Sequence, residues 1–225
     1  MRIMSLLFAC LLAPLLAVPA RAAEKPFLLD QIWLQAPTQF RASEKVKILA
    51  DVSPRFGFKD VGLNQFLVRT AIQYQPRKTV SYALGFDTVD NYLPTRSHEN
   101  RLWQQLQLQR RYQQLTISAR WRLEERYFVG TPGVSLRQRM MLKASRQLGK
   151  SRFSLVGSDE LFVTMNNMVD GPVAGIDRNR LFAGVAVAID RRRTVEAGYR
   201  LEYINKTDAD DETRRQLVVQ LASNF

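Results

Sequence analysis

The residue best suited to proton transfer in this chain is its single histidine, His98, which stands between Ser97 and Glu99. A serine hydrolase needs a histidine within hydrogen-bond reach of the serine, and a third group that orients the imidazole. Neighbouring side chains of an extended segment point in opposite directions, so Ser97 and His98 do not face each other there. We therefore predict that His98 is an exposed loop residue and that the protein is not an enzyme. A hydrolase that uses His98 is the minor alternative.

A second group of polar residues is acidic and comprises Asp208, Asp210, Asp211 and Glu212. Carboxylates are hard oxygen ligands that suit calcium or magnesium. The segment lacks the spacing and the glycine of an EF-hand, and the sequence has no glycine-rich phosphate loop, metal-ligand histidine pair or zinc pattern. We therefore predict a solvated acidic loop, no metal site and no cofactor.

The largest set of charged residues mixes arginine with glutamate along several segments. It comprises Arg120, Arg122, Glu124, Arg126, Arg137, Arg139, Glu160, Arg180, Arg200 and Glu202. If these side chains face an interior, charges of opposite sign must pair there, because an unpaired charge is costly in a low dielectric. This predicts a structural network of ion pairs. The alternative is an anion path, in which the arginine excess selects phosphate, carboxylate or sulfate.

These charged residues lie in segments where apolar residues recur at every second position, which indicates strands with two unlike faces. The clearest segment has on its apolar face Leu115, Ile117, Ala119, Trp121 and Leu123. Ten such segments follow one another from Val46 to Phe225, and we find no amphipathic helix between them. The sequence therefore predicts an all-β protein.

The length of the strands distinguishes a soluble sandwich from a membrane barrel. Soluble strands average about five or six residues, whereas a strand that crosses a bilayer at a tilt needs about 9–11. The segments of this chain reach the greater length, and their second faces are too charged for a soluble core. Closing the sheet removes its edges and places the polar faces in a lumen. We therefore predict a closed antiparallel transmembrane β-barrel.

Short connections between the segments alternate with longer ones, as periplasmic turns alternate with outer loops in outer-membrane barrels. Aromatic residues near the segment ends, such as Tyr74, Phe86 and Tyr203, suit an interfacial girdle. Both termini of such a barrel normally lie on the periplasmic side, so we predict 10 or 12 strands. Residues 28–36 would add an eleventh segment. Either that segment is not part of the wall or one further strand is present.

The first residues of the chain indicate its destination. Residues 1–22 combine Arg2, an apolar run and the small residues Ala20 and Ala22, which is the layout of a secretory signal peptide. We predict cleavage after Ala22, which leaves residues 23–225 as one barrel domain and removes the only cysteine. Loss of Arg2 and Arg21 lowers the net charge from +12 to +10. Outside the cytoplasm this positive charge suits lipopolysaccharide phosphates, anionic solutes or internal acids rather than nucleic acid.

The last segment ends on an aromatic residue that is preceded by apolar residues at alternate positions, namely Leu217, Val219, Leu221 and Phe225. This pattern resembles the C-terminal signal that the outer-membrane barrel assembly machinery reads. We therefore predict transport by periplasmic chaperones and insertion among the lipids and lipopolysaccharide of a Gram-negative outer membrane. We expect Phe225 to act during insertion and to contribute little to folded contacts.

Several segments resemble, in order, a bacterial family catalogued as domain of unknown function 2490. They are Trp33, Asn100-Arg101-Leu102-Trp103-Gln104-Gln105, Arg120-Trp121-Arg122-Leu123-Glu124-Glu125-Arg126, Asp159-Glu160-Leu161-Phe162, Asn179-Arg180-Leu181-Phe182-Ala183-Gly184 and Ala197-Gly198-Tyr199. The resemblance covers essentially the whole mature chain and implies an outer-membrane location. The family has no established reaction or ligand, so the resemblance assigns no catalytic residue.

A barrel of 10 or 12 strands is narrow, and long arginine and glutamate side chains fill much of its lumen. The sequence therefore predicts an outer-membrane barrel that is narrow or plugged. An anion-selective channel for small solutes is the first alternative, and an outer-membrane hydrolase that uses His98 is the second.

Overall fold

The computed structural model describes residues 29–58, 61–93, 96–206 and 210–225. The predicted signal peptide lies outside these ranges. Within them the chain forms twelve strands and no helix, so no described helix is long and apolar enough to cross a membrane. The strands are β1 (Gln31–Gln35), β2 (Thr38–Arg41), β3 (Val46–Gly57), β4 (Gly62–Arg77), β5 (Val80–Asn91), β6 (Ser97–Tyr112), β7 (Leu115–Phe128), β8 (Ser135–Gln147), β9 (Phe153–Thr164), β10 (Gly175–Ala188), β11 (Arg193–Ile204) and β12 (Glu212–Asn224).

The ten long strands β3 to β12 form one sheet in which each strand pairs antiparallel with the next. Short connections at 78–79, 113–114, 148–152 and 189–192 share one end of this sheet, which we call the turn end. The strand ends that border residues 58–61, 92–96, 129–134, 165–174 and 205–211 share the other, the loop end. The alternation that the sequence predicts is therefore present.

The sheet closes through β1 and β2, which together occupy one position in the wall. Both pair antiparallel with β3 and parallel with β12. The two strands are separated at Pro37, which has no N–H to donate to a neighbouring strand. Ala36 donates there to the Val52 carbonyl at 3.0 Å and to the Asp51 carboxylate at 3.2 Å.

The predicted closed all-β barrel is confirmed, with two differences in the wall. Twelve strands are present, but two of them share a position, so the wall has eleven positions. Residues 31–35 of the doubtful first segment are a wall strand, and their pairing with β12 is parallel. The parallel pair removes the need for an even number of positions, because β1 begins at the loop end while β12 finishes at the turn end.

The two faces of the wall have the reverse of the exposure found in a soluble protein. The outer face carries exposed apolar side chains, such as Ile72, Leu84 and Leu155, at 62, 55 and 51% of their full accessibility. The inner face buries charged ones: Arg122 is 3% exposed and Glu124 is not exposed at all. Since soluble proteins almost never bury charged residues of this kind unless they are paired, the interior needs a polar network.

From its middle toward the turn end, the lumen contains aromatic and small apolar side chains, together with an ion pair between Lys143 of β8 and Glu196 of β11 at 2.7 Å. One buried cluster comprises Trp33, Val156, Phe182, Ala186 and Val218, and another comprises Ala71, Ala83 and Trp103 with Leu49 against it. Glycine makes room for the rings. A Cβ on Gly85 would overlap the Trp103 indole, and one on Gly184 or Gly198 would lie within 3 Å of the Phe182 ring.

Candidate functional site

The carboxylate of Glu124 is fully buried in the lumen, and β7 points it inward directly opposite Arg137 of β8. Arg137 donates to Glu124 Oε2 from Nη2 at 2.6 Å and from Nε at 3.0 Å. Arg139, two residues along the same face of β8, donates to Oε1 at 2.6 Å. Arg122 approaches the same oxygen at 3.7 Å. The strand register therefore surrounds one buried acid with three arginines.

Arg139 extends this group across β8 to Glu160 of β9. It donates to Glu160 Oε1 from Nη2 at 2.7 Å and from Nε at 3.0 Å. Arg120 bonds to the same oxygen, and Arg180 of β10 lies 4.0 Å from Oε2. Glu124 and Glu160 therefore share a bridging arginine, and their ion pairs form one network.

Arg180 carries the network on to Glu202 of β11, to which it donates at 2.6 Å. Arg178 and the Gln216 amide also donate to Glu202, at 3.3 and 2.8 Å. Eight of the ten predicted residues thus lie in one connected set, which we call the arginine network. Its predicted members are Arg120, Arg122, Glu124, Arg137, Arg139, Glu160, Arg180 and Glu202.

The other two predicted residues lie apart from this connected set. Arg126 pairs with Glu99 of β6, whose carboxylate also binds Arg101 at 2.6 and 2.8 Å. Arg200 has no carboxylate within ion-pair distance among the described residues, and its guanidinium lies 4.6 Å from the centre of the Trp33 ring. The expected pairing is therefore absent for Arg200.

Sequence reasoning missed a cluster on the opposite wall, built around Asp87 of β5. Arg69 of β4 donates two bonds to this carboxylate, at 2.9 and 3.0 Å, and Trp103 Nε1 donates at 2.6 Å. Arg69 also approaches Asp51 at 3.5 Å. Alternation gives the inward direction of Arg69, but only the register of neighbouring strands brings it to Asp87.

Aromatic rings contact several guanidinium groups of the network. Arg122 lies 3.8 Å from the centre of the Trp103 ring, and Arg139 and Arg180 lie 4.5 and 4.6 Å from that of Phe162. A cation over an aromatic face gains electrostatic attraction, and the gain is larger where water is excluded. The rings therefore contribute to holding arginines that outnumber the inward acids.

His98 lies in β6 and not in a loop, so its predicted position was wrong, although it does face outward at the loop end. Its Nδ1 is 2.7 Å from Asp90 Oδ1, and its Nε2 is 3.4 Å from Thr88 Oγ1. Ser97 bonds instead with Asn91 at 2.9 Å. The expected divergence of Ser97 and His98 is confirmed, and Thr88 and Asp90 are partners that the sequence did not reveal.

The acidic segment is only partly described, because Asp208 lies outside the described residues. Asp211 accepts a hydrogen bond from the Tyr203 hydroxyl and another from the Lys206 backbone N–H, and these bonds lower the pKa of Asp211. Glu212 pairs with Lys206 at 2.8 Å and with Arg214. Within the described ranges, no group of three or more candidate ligands is placed to hold a metal ion.

The residues of the predicted assembly signal face outward along β12, where Leu221 and Phe225 are 44 and 55% exposed. Phe225 also stacks on Phe40, with ring centres 5.7 Å apart. Its backbone N–H donates to the Gln39 carbonyl and its own carbonyl accepts from Arg41, each at 2.8 Å. The expectation that Phe225 makes few folded contacts was therefore wrong, because β2 reaches the turn end beside it.

A sequence profile described as "Protein of unknown function (DUF2490)" matches residues 30–213. The match begins next to β1, ends in the first residues of β12 and includes all eight predicted members of the arginine network. The chain belongs to the DUF2490 family. An uncharacterised protein of Methylorubrum extorquens is 31% identical to this DUF2490 chain over 194 residues, which are 82% of this chain and 83% of that protein. The predicted membership is confirmed, and neither description names an activity.

Proposed function

We propose that this DUF2490 protein is an outer-membrane barrel whose lumen is blocked by the arginine network and by the aromatic packing beside it. The observation that carries the proposal is the reversed exposure of the wall. Exposed apolar side chains occur on strand after strand around the outer face, from Ile48 and Ile72 to Leu201 and Leu221. A soluble monomer rarely exposes a contiguous apolar patch above a few hundred Å². The hydrocarbon core of a bilayer covers such a surface and keeps it away from water.

The dimensions and the border residues of the wall support the same proposal. The strands from β3 to β12 have 12 to 16 residues. A tilted strand needs about 9–11 residues to cross a bilayer, so these strands are long enough. Outward aromatic residues lie near both ends, such as Tyr74 and Tyr82 at the turn end and Tyr127 and Tyr203 at the loop end. Amphipathic rings of this kind favour the membrane interface.

Cell fractionation tests the location. We expect the mature chain to begin at Ala23, to sediment with outer membranes and to migrate on gels in a heat-modifiable way, since a closed barrel resists unfolding in detergent. The variant Leu84→Arg should insert poorly, because a cation at the lipid face near the bilayer centre costs about 2–4 kcal/mol. The matched control is Val129→Arg, in a loop. A wild-type protein recovered soluble from the periplasm would contradict the proposal.

Electrical recording separates the blocked barrel from an anion-selective channel for small solutes. A permeating anion would have to displace buried ion pairs and then pass Trp103 and Phe182, so we expect little or no conductance from reconstituted protein. Replacing Arg122 and Arg139 together by glutamine should lower stability and leave selectivity unchanged. A reproducible anion-selective current that disappears in this double variant would instead establish the channel.

One observation favours a second candidate, an outer-membrane hydrolase. Thr88, His98 and Asp90 lie in the order hydroxyl, imidazole, carboxylate, which is the order of a nucleophile, its general base and an orienting acid. The group faces outward, where an ester of a membrane lipid would reach it. If it acts, Thr88→Val and His98→Ala will each abolish hydrolysis of phospholipid or lipopolysaccharide esters, and Ser97→Ala will not. Absence of turnover by the wild type removes this candidate.

A further inference from the structure

We propose that the loop end of the lumen holds a binding site for a small soluble oxyanion, a phosphate, sulfate or carboxylate, beside Arg55. This goes beyond the blocked barrel, since it assigns a ligand to the space above the block. A cavity of about 350 Å³ lies there, lined among others by Trp33, Arg55, Gln65, Arg178 and Arg180. Sites for small molecules typically have volumes of about 300–1,000 Å³.

The carboxylates that line the cavity are already engaged by other groups. Glu202 accepts from Arg178, Arg180 and Gln216. Glu212 pairs with Lys206 and Arg214. Asp30 Oδ2 accepts the backbone N–H of Arg215 at 2.6 Å. None of these three acids lies within ion-pair distance of Arg55.

Arg55 is the cation of the cavity that lacks a counter-ion among the described residues. Its Nη1 donates to the side-chain amide oxygen of Gln65, and its Nε is buried without any acceptor. Arg55 is partly buried, and taking a charge out of water without a partner is costly, so an oxyanion in the cavity would lower that cost. The unused donor thus indicates the sign of the ligand.

The position of Arg55 is fixed before any ligand arrives. Its guanidinium lies 3.6 Å from the centre of the Trp33 ring, so one face is covered, while Nη2 donates to no acceptor among the described residues. Arg180 and Arg200 lie 4.9 and 4.6 Å from the same ring. Three arginines around one indole create a strongly positive region. A planar guanidinium held in this way suits two-point recognition of an oxyanion.

The residue next to Arg55 on β4 also favours an external anion. Gln65 lies opposite Arg55 in the strand register and continues through its own amide to Asn91. An acid at this position would neutralise Arg55 internally, as Asp87 of β5 neutralises Arg69 of β4 on the next pair of strands. Because the residue is a neutral amide, the positive charge remains available to a ligand.

Calorimetric titration of the full chain in detergent, with inorganic phosphate, sulfate or acetate at low ionic strength, tests the site. We expect saturable binding of one anion per chain and a rise in the unfolding temperature as the anion is added. Arg55→Gln should weaken binding at least about tenfold, which corresponds to the loss of roughly one charge-assisted hydrogen bond. The control Arg111→Gln, at the exposed turn end, should bind as the wild type does.

A second variant keeps the proposal testable if Arg55→Gln does not fold. Gln65→Glu supplies the missing carboxylate, so it should raise the unfolding temperature in anion-free buffer and abolish both the binding and the anion-dependent rise. If the role of Arg55 is purely structural, Gln65→Glu should still gain stability, but anions should not raise the unfolding temperature of the wild type. Absence of saturable binding by the wild type, or binding unchanged in Arg55→Gln, overturns the proposal. Neither result depends on whether the barrel resides in the outer membrane.

Discussion

The two halves of the lumen are built from the same inward-facing strand positions but are filled by different chemistry. On the loop side, Glu99, Glu124, Glu160 and Glu202 are each held by two or more arginines. On the turn side, rings such as that of Phe182 lie over glycines, next to small apolar side chains, and an ion pair joins Lys143 to Glu196. Charged groups must meet partners in fixed directions as well as fill space, whereas the packing of apolar groups is limited by shape alone. The cavity lies accordingly on the loop side.

This difference also predicts how each half fails. A buried ion pair adds little net stability over an apolar pair of similar shape, but removing one partner leaves an uncompensated charge. An apolar cluster tolerates removal of atoms in proportion to the volume lost, and it resists added atoms. The loop side should therefore be sensitive to the loss of a charge and the turn side to the addition of volume.

The largest effect is expected for Glu124→Gln on the loop side. Removing the negative charge leaves Arg137 and Arg139 without their shared partner, and we expect a loss of about 3–5 kcal/mol in the free energy of unfolding. Urea titration followed by gel mobility measures it. The neighbouring Glu125→Gln, which faces outward, should cost no more than about 1 kcal/mol. Equal losses in the two variants would mean that the network does not hold the loop side together.

A smaller effect is expected for Gly85→Ala on the turn side. The added methyl group overlaps the Trp103 indole, and overpacking of this kind costs about 1–3 kcal/mol. Gly157→Ala is the matched control, because the nearest atom to its Cβ is a backbone oxygen at 3.8 Å. If both alanines are tolerated equally in urea titrations, the turn side is looser than its packing implies.

The smallest effect on folded stability is expected outside both halves, for Phe225→Ala. Loss of the stacked ring should cost about 0.5–1.5 kcal/mol, and Phe40→Ala should cost the same because it removes the other half of the pair. Only Phe225→Ala should also lower the amount inserted into the outer membrane, since only it removes part of the predicted assembly signal. Quantitative immunoblotting of membrane fractions compares the two. Equal yields would leave Phe225 with a packing role alone.

Alternation along single segments was sufficient to predict which way the side chains point. The period of two placed Arg122 and Glu124 on the inner face because it is a local property of each strand. It could not pair β1 with β12, because contacts such as that of Asp30 with Arg215 join residues 185 positions apart. The link between His98 and Asp90 was missed for the same reason, since it depends on the register of β5 against β6. Arg200 was expected to pair, but no acid stands opposite it.

The parallel pairing of β1 with β12 has a consequence for circular permutation. In a fully antiparallel barrel with an even number of strands, a short peptide joins the first strand to the last at one mouth. Here the first strand begins at the loop end, and Phe225 lies at the turn end. A joining peptide would have to run the height of the wall, about 30 Å, which takes about nine extended residues. A circular permutant with a shorter joining peptide cannot preserve the pairing of β1 with β12. Epitope tags placed before Gln31 and after Phe225 would emerge at opposite mouths of the same barrel.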